Sequence, residues 1–134
     1  MPLETLPVLR IAREAAAQLP PKTCAAINAA GLLTTAATGG ADFAGAIIEN
    51  DGATTPPHFA LLQTAGIAVL LSDGTATITP GNLLTVGTGG RIRPVTPASG
   101  TTLRGIIGRA LTAAAATADL EVQVLLQPHI YIGA

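Results

Sequence analysis

The sequence predicts an all-β fold: a small β-barrel or sandwich with an internal duplication, an extended N-terminal arm and little helix. Two segments, residues 22–48 and 81–107, repeat one pattern of strand, tight glycine turn, strand, loop and strand. Gly31 aligns with Gly90 at an offset of 59, and Gly45 aligns with Gly105 at an offset of 60. Strand signals separated by turns are typical of sandwiches and barrels, and two copies alone exclude a solenoid or propeller.

The N-terminal residues 1–21 are predicted to form an extended arm or edge strand. Apolar residues cluster here in a short run that also contains Arg10. Helix propensity favours a helical turn around residues 13–18 as an alternative. Pro20-Pro21 ends either structure, because proline lacks the amide hydrogen that a helix or an inner strand requires.

Between the repeats, the segments His58–Leu62 and Gly66–Leu71 are predicted strands. They follow a loop, Thr54–Pro57, whose prolines a central strand would not accept. Ser72-Asp73-Gly74 then forms a hairpin-type turn into a further predicted strand, Thr75–Thr79.

After the second repeat, Leu111–Asp119 is predicted as a loop and Leu120–Leu126 as a half-buried strand. The last residues, 127–134, are predicted as a C-terminal tail. Large apolar side chains in this tail would favour association with other molecules unless they pack against the protein. The predicted organisation is therefore an arm (1–21), a single β domain (22–126) and this tail.

The composition narrows the class of protein. Hydrophobic residues make up 49% of the chain, but aromatic residues only 2% and charged residues 11%, against a usual charged fraction of about 25%. A surface with so little charge favours coverage by neighbouring chains. The net charge of −1 and the lack of stacking aromatics argue against nucleic acid as a partner.

Neither disulfide chemistry nor a membrane segment is expected. Cys24 is the one cysteine, and its apolar strand context predicts a small buried hydrophobic residue. No uninterrupted apolar run reaches the roughly 18 residues that a spanning helix needs. The N-terminus, Met1–Glu4, lacks the basic start of a secretory signal, so a soluble protein made in the cytoplasm is expected.

Catalytic patterns are weak. Ser72 and Ser99 lie in turn contexts without the Gly-x-Ser-x-Gly elbow that exposes a nucleophile. His58 and His129 lie far apart in sequence, and the carboxylates are scattered over turns and exposed strand positions. The sequence therefore predicts no enzyme, no catalytic residue, no metal and no cofactor.

The second half of the chain resembles a known family. The resemblance rests on a pattern of glycines and aliphatic residues in Gly66–Leu71, Ile78–Thr85, Gly89–Val95, Leu103–Leu111 and Leu120–Leu126. In these segments the chain resembles the capsid decoration (cement) proteins of tailed bacteriophages. The first half resembles them more loosely, through Gly31 and the segment Phe43–Ile48.

The resemblance implies a compact β domain on the outer surface of an icosahedral phage head. Such proteins usually gather as trimers at three-fold positions and clamp neighbouring subunits of the major capsid protein after expansion. The expected partners are therefore the major capsid protein and further copies of this chain, in a homotrimer. The expected location is the virion, on the outer surface of the capsid.

Three groups of residues are candidates for the capsid or subunit interface. The arm is expected to pair with a capsid edge strand by β-augmentation, and the arginines of the second repeat to contact capsid carboxylates. The candidates are Leu6, Val8, Leu9 and Arg10 in the arm, Arg91 and Arg93 in the second repeat, and Ile130 and Tyr131 in the tail.

A different class of function stays open as the alternative: a small β-barrel module of a phage tail or fibre that binds a glycan or a hydrophobic ligand. Glycan sites normally present exposed aromatic rings, and this chain has only Phe43, Phe59 and Tyr131, which argues against this alternative. An enzyme is the third reading.

Overall fold

The computed structural model describes residues 9–95 and 103–132, and of residues 103, 104 and 129–132 it describes the backbone. Within these ranges the regular structure consists of ten β-strands and one turn of 3-10 helix, Thr88–Gly90. The predicted all-β fold with little helix is confirmed.

The first five strands form a closed barrel in the order β1-β3-β2-β4-β5. β5 runs antiparallel to β1, from the pair Arg10 and Gln63 to the pair Ala15 and His58, and so closes the barrel. β1 and β3 are parallel and share one registered pair, Ala15 with Leu33. The strands are β1 (Arg10–Ala15), β2 (Cys24–Ile27), β3 (Leu33–Thr35), β4 (Phe43–Asn50) and β5 (His58–Gln63).

The next five strands form a second closed barrel in the order β10-β6-β8-β7-β9. Raising each strand number of the first barrel by five gives the same cyclic order, so the second barrel repeats the topology of the first. The strands are β6 (Gly66–Asp73), β7 (Leu83–Val86), β8 (Ile92–Pro94), β9 (Leu103–Ala110) and β10 (Ala118–Ile132).

Strand registers confirm the duplication at an offset of 59 in the second and third strands of each barrel. Ile27 pairs with Leu33 in the first barrel, and Val86 pairs with Ile92 in the second. The turns that join these strands also correspond, because Gly31 and its counterpart at position 90 have φ angles of 80° and 76°. Only glycine adopts this left-handed region without strain.

The fourth strands correspond differently from the sequence alignment. Ala25 pairs with Gly45, whereas Leu84, the counterpart of Ala25, pairs with Gly108. The register therefore makes Gly108 the counterpart of Gly45, three residues beyond Gly105.

Close backbone contact explains this correspondence. A Cβ atom on Gly45 would lie 2.7 Å from the carbonyl oxygen of Gln63 in β5, and a Cβ atom on Gly108 would overlap the carbonyl oxygen of Leu125 in β10. In each barrel the fourth strand thus needs a glycine where it approaches the fifth.

The boundaries of three predicted elements differ in the structure. β1 lies inside the residues assigned to the arm, as a strand of the closed first barrel and not as an extended arm or a helical turn. The predicted strand Thr75–Thr79 is a loop, in which Ile78 forms an isolated bridge to Ala114. β10 continues through Ile132 and so includes most of the predicted tail.

Side chains alternate between the inside of the first barrel and its contact with the second. Ala25 belongs to the first barrel's own core, whereas its neighbours Cys24 and Ala26 belong to the core cluster of the second barrel. This alternation follows from the two-residue period of a β-strand. The first core is Ala15, Leu19, Ala25, Leu33, Ile47, Ala60 and Leu62.

Backbone hydrogen bonds join the two barrels along a line that we call the seam. The amide of Gly39 donates to the carbonyl of Val86 at 2.9 Å, and the amide of Gly105 donates to the carbonyl of Gly39 at 2.7 Å. The amide of Leu71 donates to the carbonyl of Lys22 at 2.9 Å. The barrels are therefore packed and hydrogen-bonded as one unit.

Candidate interaction surfaces

The candidates of the predicted arm divide at the start of the first barrel. Leu6 and Val8 lie outside the described residues. Leu9 is 59% exposed, and its carbonyl accepts a hydrogen bond from Thr64 at 2.9 Å. Arg10 begins β1, and its Nε donates to Oε1 of Gln63 at 3.3 Å. The chain is therefore fixed to the barrel from Leu9 onward.

The arginine candidates of the second repeat lie on either side of Ile92 in β8. Arg91 forms an ion pair with Asp119, so its charge already has a partner within the chain. Arg93 is half-buried and pairs in register with Thr85 of β7. Within the described residues Arg93 forms no ion pair, which leaves it as the arginine of the two better suited to an external carboxylate.

The tail candidates lie on the last strand. Ile130 and Tyr131 pair through their backbone with Gly105 and Arg104 of β9, and the side chains of both candidates lie outside the described residues. The structure thus places the backbone of this pair beside the seam glycine Gly105. It does not bring the three predicted groups together into one described patch.

Large apolar side chains are exposed on both barrels, and sequence reasoning missed two of those on the first. Ile11 and Ile27 are 48% and 46% exposed, although each lies opposite a core residue, Leu62 and Leu33 respectively. Directly paired residues of neighbouring strands share a face of the sheet. Ile11 and Ile27 therefore face the barrel interior at an end that is open to solvent.

We call this end the mouth of the first barrel and define it by Leu9, Ile11 and Ile27. A hydrogen bond from Nη2 of Arg13 to the carbonyl of Gly31, 3.4 Å long, joins β1 to the turn that follows β2 and so lies at the same end. The remaining exposed large apolar side chains are Phe59, Ile67, Leu111 and Leu120.

A shallow groove lies where the barrels meet. Arg10 and Lys22 line it together with Gln63 and the apolar side chains of Ile47 and Ile67. Gln63 is fully buried, and its amide nitrogen donates to the carbonyls of Ala65 and Ile67 at 2.9 Å each. Its hydrogen bonds hold the short connection between the barrels, which is a structural role.

The buried polar groups also have structural partners. The hydroxyl of Thr85 donates to the carbonyl of Gly105 at 2.8 Å within the second barrel and lies 3.1 Å from the carbonyl oxygen of Gly39 across the seam. The hydroxyl of Ser72 donates to the carbonyl of Thr117 at 2.8 Å. Nδ1 of His58 lies 3.1 Å from the carbonyl oxygen of Ala53. Each of these side chains thus has a hydrogen-bond partner in the backbone, as buried polar side chains usually do.

Cys24 is fully buried in the seam, as the sequence predicts, and burial raises the pKa of its thiol. A thiol that stays protonated is a poor nucleophile and a poor metal ligand. Among the described residues no three histidine, cysteine, aspartate or glutamate side chains are close enough to hold a metal ion. The same part of the chain contains no helix of the length and hydropathy needed to cross a membrane.

No protein-family model matches the chain, and no curated protein sequence matches it.

Proposed function

We propose that this protein is a non-enzymatic capsid decoration (cement) protein that binds the outer surface of an expanded phage head as a homotrimer. The observation that carries the proposal is the set of large apolar side chains exposed on both barrels of a chain with only 11% charged residues. Exposed apolar surface is a feature of sites that bind another protein.

The sequence pattern supports the same proposal. The segments that resemble cement proteins correspond to β6, β7, β8, β9 and the first part of β10, so the resemblance follows the strands of one complete barrel. A rigid β unit with exposed apolar surface suits a protein that holds neighbouring capsid subunits together, because a preorganised surface loses little conformational entropy on binding.

In this proposal the residues before the first barrel bind a capsid strand by β-augmentation. β1 pairs with β5 on one side and, on the other, shares with β3 only the pair at Ala15. A deletion that tests this contact must stop at residue 8, because β1 begins at Arg10. Removal of residues 2–8 should weaken binding to expanded heads and leave the thermal stability of the isolated protein unchanged.

Arg93 is the proposed electrostatic contact with capsid carboxylates, and Arg91 provides the matched control. Arg93→Gln should lower the affinity for heads several-fold and reduce its salt dependence, because a charge at an interface rim mainly steers association. Arg91→Gln removes an arginine whose charge is paired with Asp119 and should change binding less. Equal affinities for wild type and Arg93→Gln would remove this contact from the proposal.

The function itself is tested by the stability of packaged heads. Undecorated, DNA-filled heads of the phage that encodes this chain are heated with and without the purified protein, and DNA release is followed with an intercalating dye. The proposal predicts release at a higher temperature when the protein is bound. Release at an unchanged temperature, with the protein demonstrably bound, would exclude cementing; thermal shifts with glycans would then support the ligand-binding alternative.

A further inference from the structure

The two barrels provide an internal comparison of equivalent positions. Leu62 pairs with Ile11 in the first barrel, and Val124 pairs with Ala68 in the second. The first strands of the two barrels therefore correspond at an offset of 57, and the fifth strands at an offset of 62. The parallel pairs agree with the offset of 57, because Ala15 pairs with Leu33 in the first barrel and Ser72 pairs with Ile92 in the second. Ala68 is therefore the counterpart of Ile11, and Val86 is the counterpart of Ile27.

In the second barrel these counterpart positions are closed. Ala68 is 2% exposed and Val86 is 0% exposed. The first barrel provides the cover, because the amide of Gly39 bonds to the carbonyl of Val86 and a Cβ atom on Gly40 would lie 3.1 Å from its Cγ2 atom. β6 and β8 share only one registered pair, so most of this edge of β6 has no partner in β8. On β6, the amide of Leu71 donates instead to the carbonyl of Lys22 in the first barrel.

In the first barrel the same positions are open. Ile11 and Ile27 are about half exposed, and both are larger than their covered counterparts. Within the described residues, the β1 edge before Ala15 has no registered partner in β3. The mouth therefore presents apolar side chains and strand backbone of the kind that the second barrel buries.

The part of the first barrel that closes the second has a counterpart of its own. Cys24 and Ala36 are buried in the shared core, and the amide of Ala36 donates to the carbonyl of Cys24 at 3.0 Å. At an offset of 59, the amide of Val95 donates to the carbonyl of Leu83 at 2.9 Å. Leu83 and Val95 are only half-buried, and Arg93 and Arg109 lie on the same face because they pair in register with Thr85 and Leu83. The covering face of the second barrel is therefore partly exposed and combines apolar side chains with arginines.

We propose that the mouth of the first barrel binds the Leu83–Val95 face of the second barrel in a second copy of this chain. The contact would use, between molecules, mouth and face positions equivalent to those that meet at the seam within one molecule. The contact is head-to-tail, because it joins two different surfaces. Such contacts close into a ring when the rotation between successive copies is right, and a rotation of one third of a turn gives a trimer. The inference rests on the proposed self-association and not on capsid binding.

A mixing experiment tests the proposal, because a head-to-tail contact has two different halves. Ile27→Glu alters the mouth, and Val95→Glu alters the covering face. In sedimentation equilibrium the wild type should form oligomers and each variant should be monomeric. An equimolar mixture should form one-to-one dimers, since one mouth and one face in the mixture remain intact.

Phe59→Glu is the matched control. Phe59 is 46% exposed on the same barrel, like Ile27, but it pairs with Glu14 on the outer face of the sheet. This variant should oligomerise like the wild type. Wild-type protein that stays monomeric at its highest soluble concentration overturns the proposal, and so does a mixture of the two variants that stays monomeric.

A cross-linking measurement avoids disruptive charges. The double variant Ile27→Cys and Val95→Cys should form disulfide-linked dimers and trimers on mild oxidation, while each single variant stays uncross-linked; Cys24 is buried and does not interfere. Dimers from Ile27→Cys alone would indicate a mouth-to-mouth contact and overturn the proposal. Binding of wild-type protein to heads is measured separately, so the failure of this contact is distinguishable from failure of the proposed function.

Discussion

The two barrels share one topology, but they differ in how their cores are completed. The second barrel buries its mouth against the first, and its core cluster includes Cys24, Ala26 and Ala46 from that neighbour. The first barrel buries a smaller set of its own residues and leaves Ile11 and Ile27 half exposed. Packing of one barrel on its duplicate thus covers the mouth of the second barrel and leaves the equivalent mouth of the first barrel exposed. An interaction with another molecule is expected at this exposed mouth.

The largest expected effect comes from separating the barrels at Gly105. A Cβ atom there would overlap the carbonyl group of Gly40, which belongs to the backbone and has no rotamer to change. We expect Gly105→Val to lower the free energy of unfolding by about 4 kcal/mol or more, at the upper end for overpacked positions. Urea denaturation measures the loss.

Gly31→Ala is the control for that variant. Gly31 has no heavy atom near the site of an added Cβ, but its φ angle of 80° disfavours alanine. It should cost only about 1 kcal/mol, from backbone strain alone. Equal losses at the two glycines would show that close contact of the barrels is not what Gly105 provides.

The counterpart core residues Leu33 and Ile92 give the next largest effect. Each is fully buried, and truncation to alanine should cost about 3 kcal/mol through lost contacts and a cavity. Ile92 belongs to the cluster that both barrels share, whereas Leu33 belongs to the first barrel's own core. Hydrogen exchange should therefore show Ile92→Ala loosening the amides of both barrels and Leu33→Ala mainly those of the first.

The hydroxyl of Thr85 gives a smaller effect at the seam. Thr85→Val keeps the shape of the side chain but removes this donor from the carbonyls of Gly39, across the seam, and Gly105, within the second barrel. A loss of about 1–2 kcal/mol is expected, the usual cost of an unsatisfied buried acceptor. Ser72→Ala is the companion variant, in which the carbonyl of Thr117 loses its side-chain donor. A neutral Thr85→Val variant would show that this hydroxyl does not stabilise the seam.

The smallest effect is expected at the two ion pairs. Lys22–Glu121 joins the barrels and Arg91–Asp119 lies within the second, but both are well exposed to solvent. Replacing Lys22 or Asp119 by alanine should change the free energy of unfolding by less than about 1 kcal/mol, with little dependence on salt. A much larger loss at Lys22 would mean that the seam depends on charge and not on apolar packing.

Sequence patterns predicted the strands and the duplication well, because turn glycines and alternating aliphatic residues are local signals. The alignment of Gly45 with Gly105 was wrong, because the strand register makes Gly108 the counterpart of Gly45. β9 contains two glycines three residues apart, Gly105 against the seam and Gly108 against β10. Local pattern cannot say which close contact each glycine serves.

The open mouth could not be predicted from the sequence for a related reason. Ile11 and Ile27 look like ordinary strand residues, and their exposure depends on which barrel end has a neighbour. Thr75–Thr79 looked like a strand because Thr and Ile alternate with small residues there. In the structure this segment is a loop, in which the fully buried Ile78 forms one isolated β-bridge with Ala114.

The most direct test of the proposed function is co-sedimentation of the purified protein with expanded, undecorated heads and, in parallel, with unexpanded heads, quantified as copies per capsid subunit. The proposal predicts saturation near one copy per subunit on expanded heads and little binding to unexpanded ones. Absence of saturable binding to properly expanded heads would contradict it.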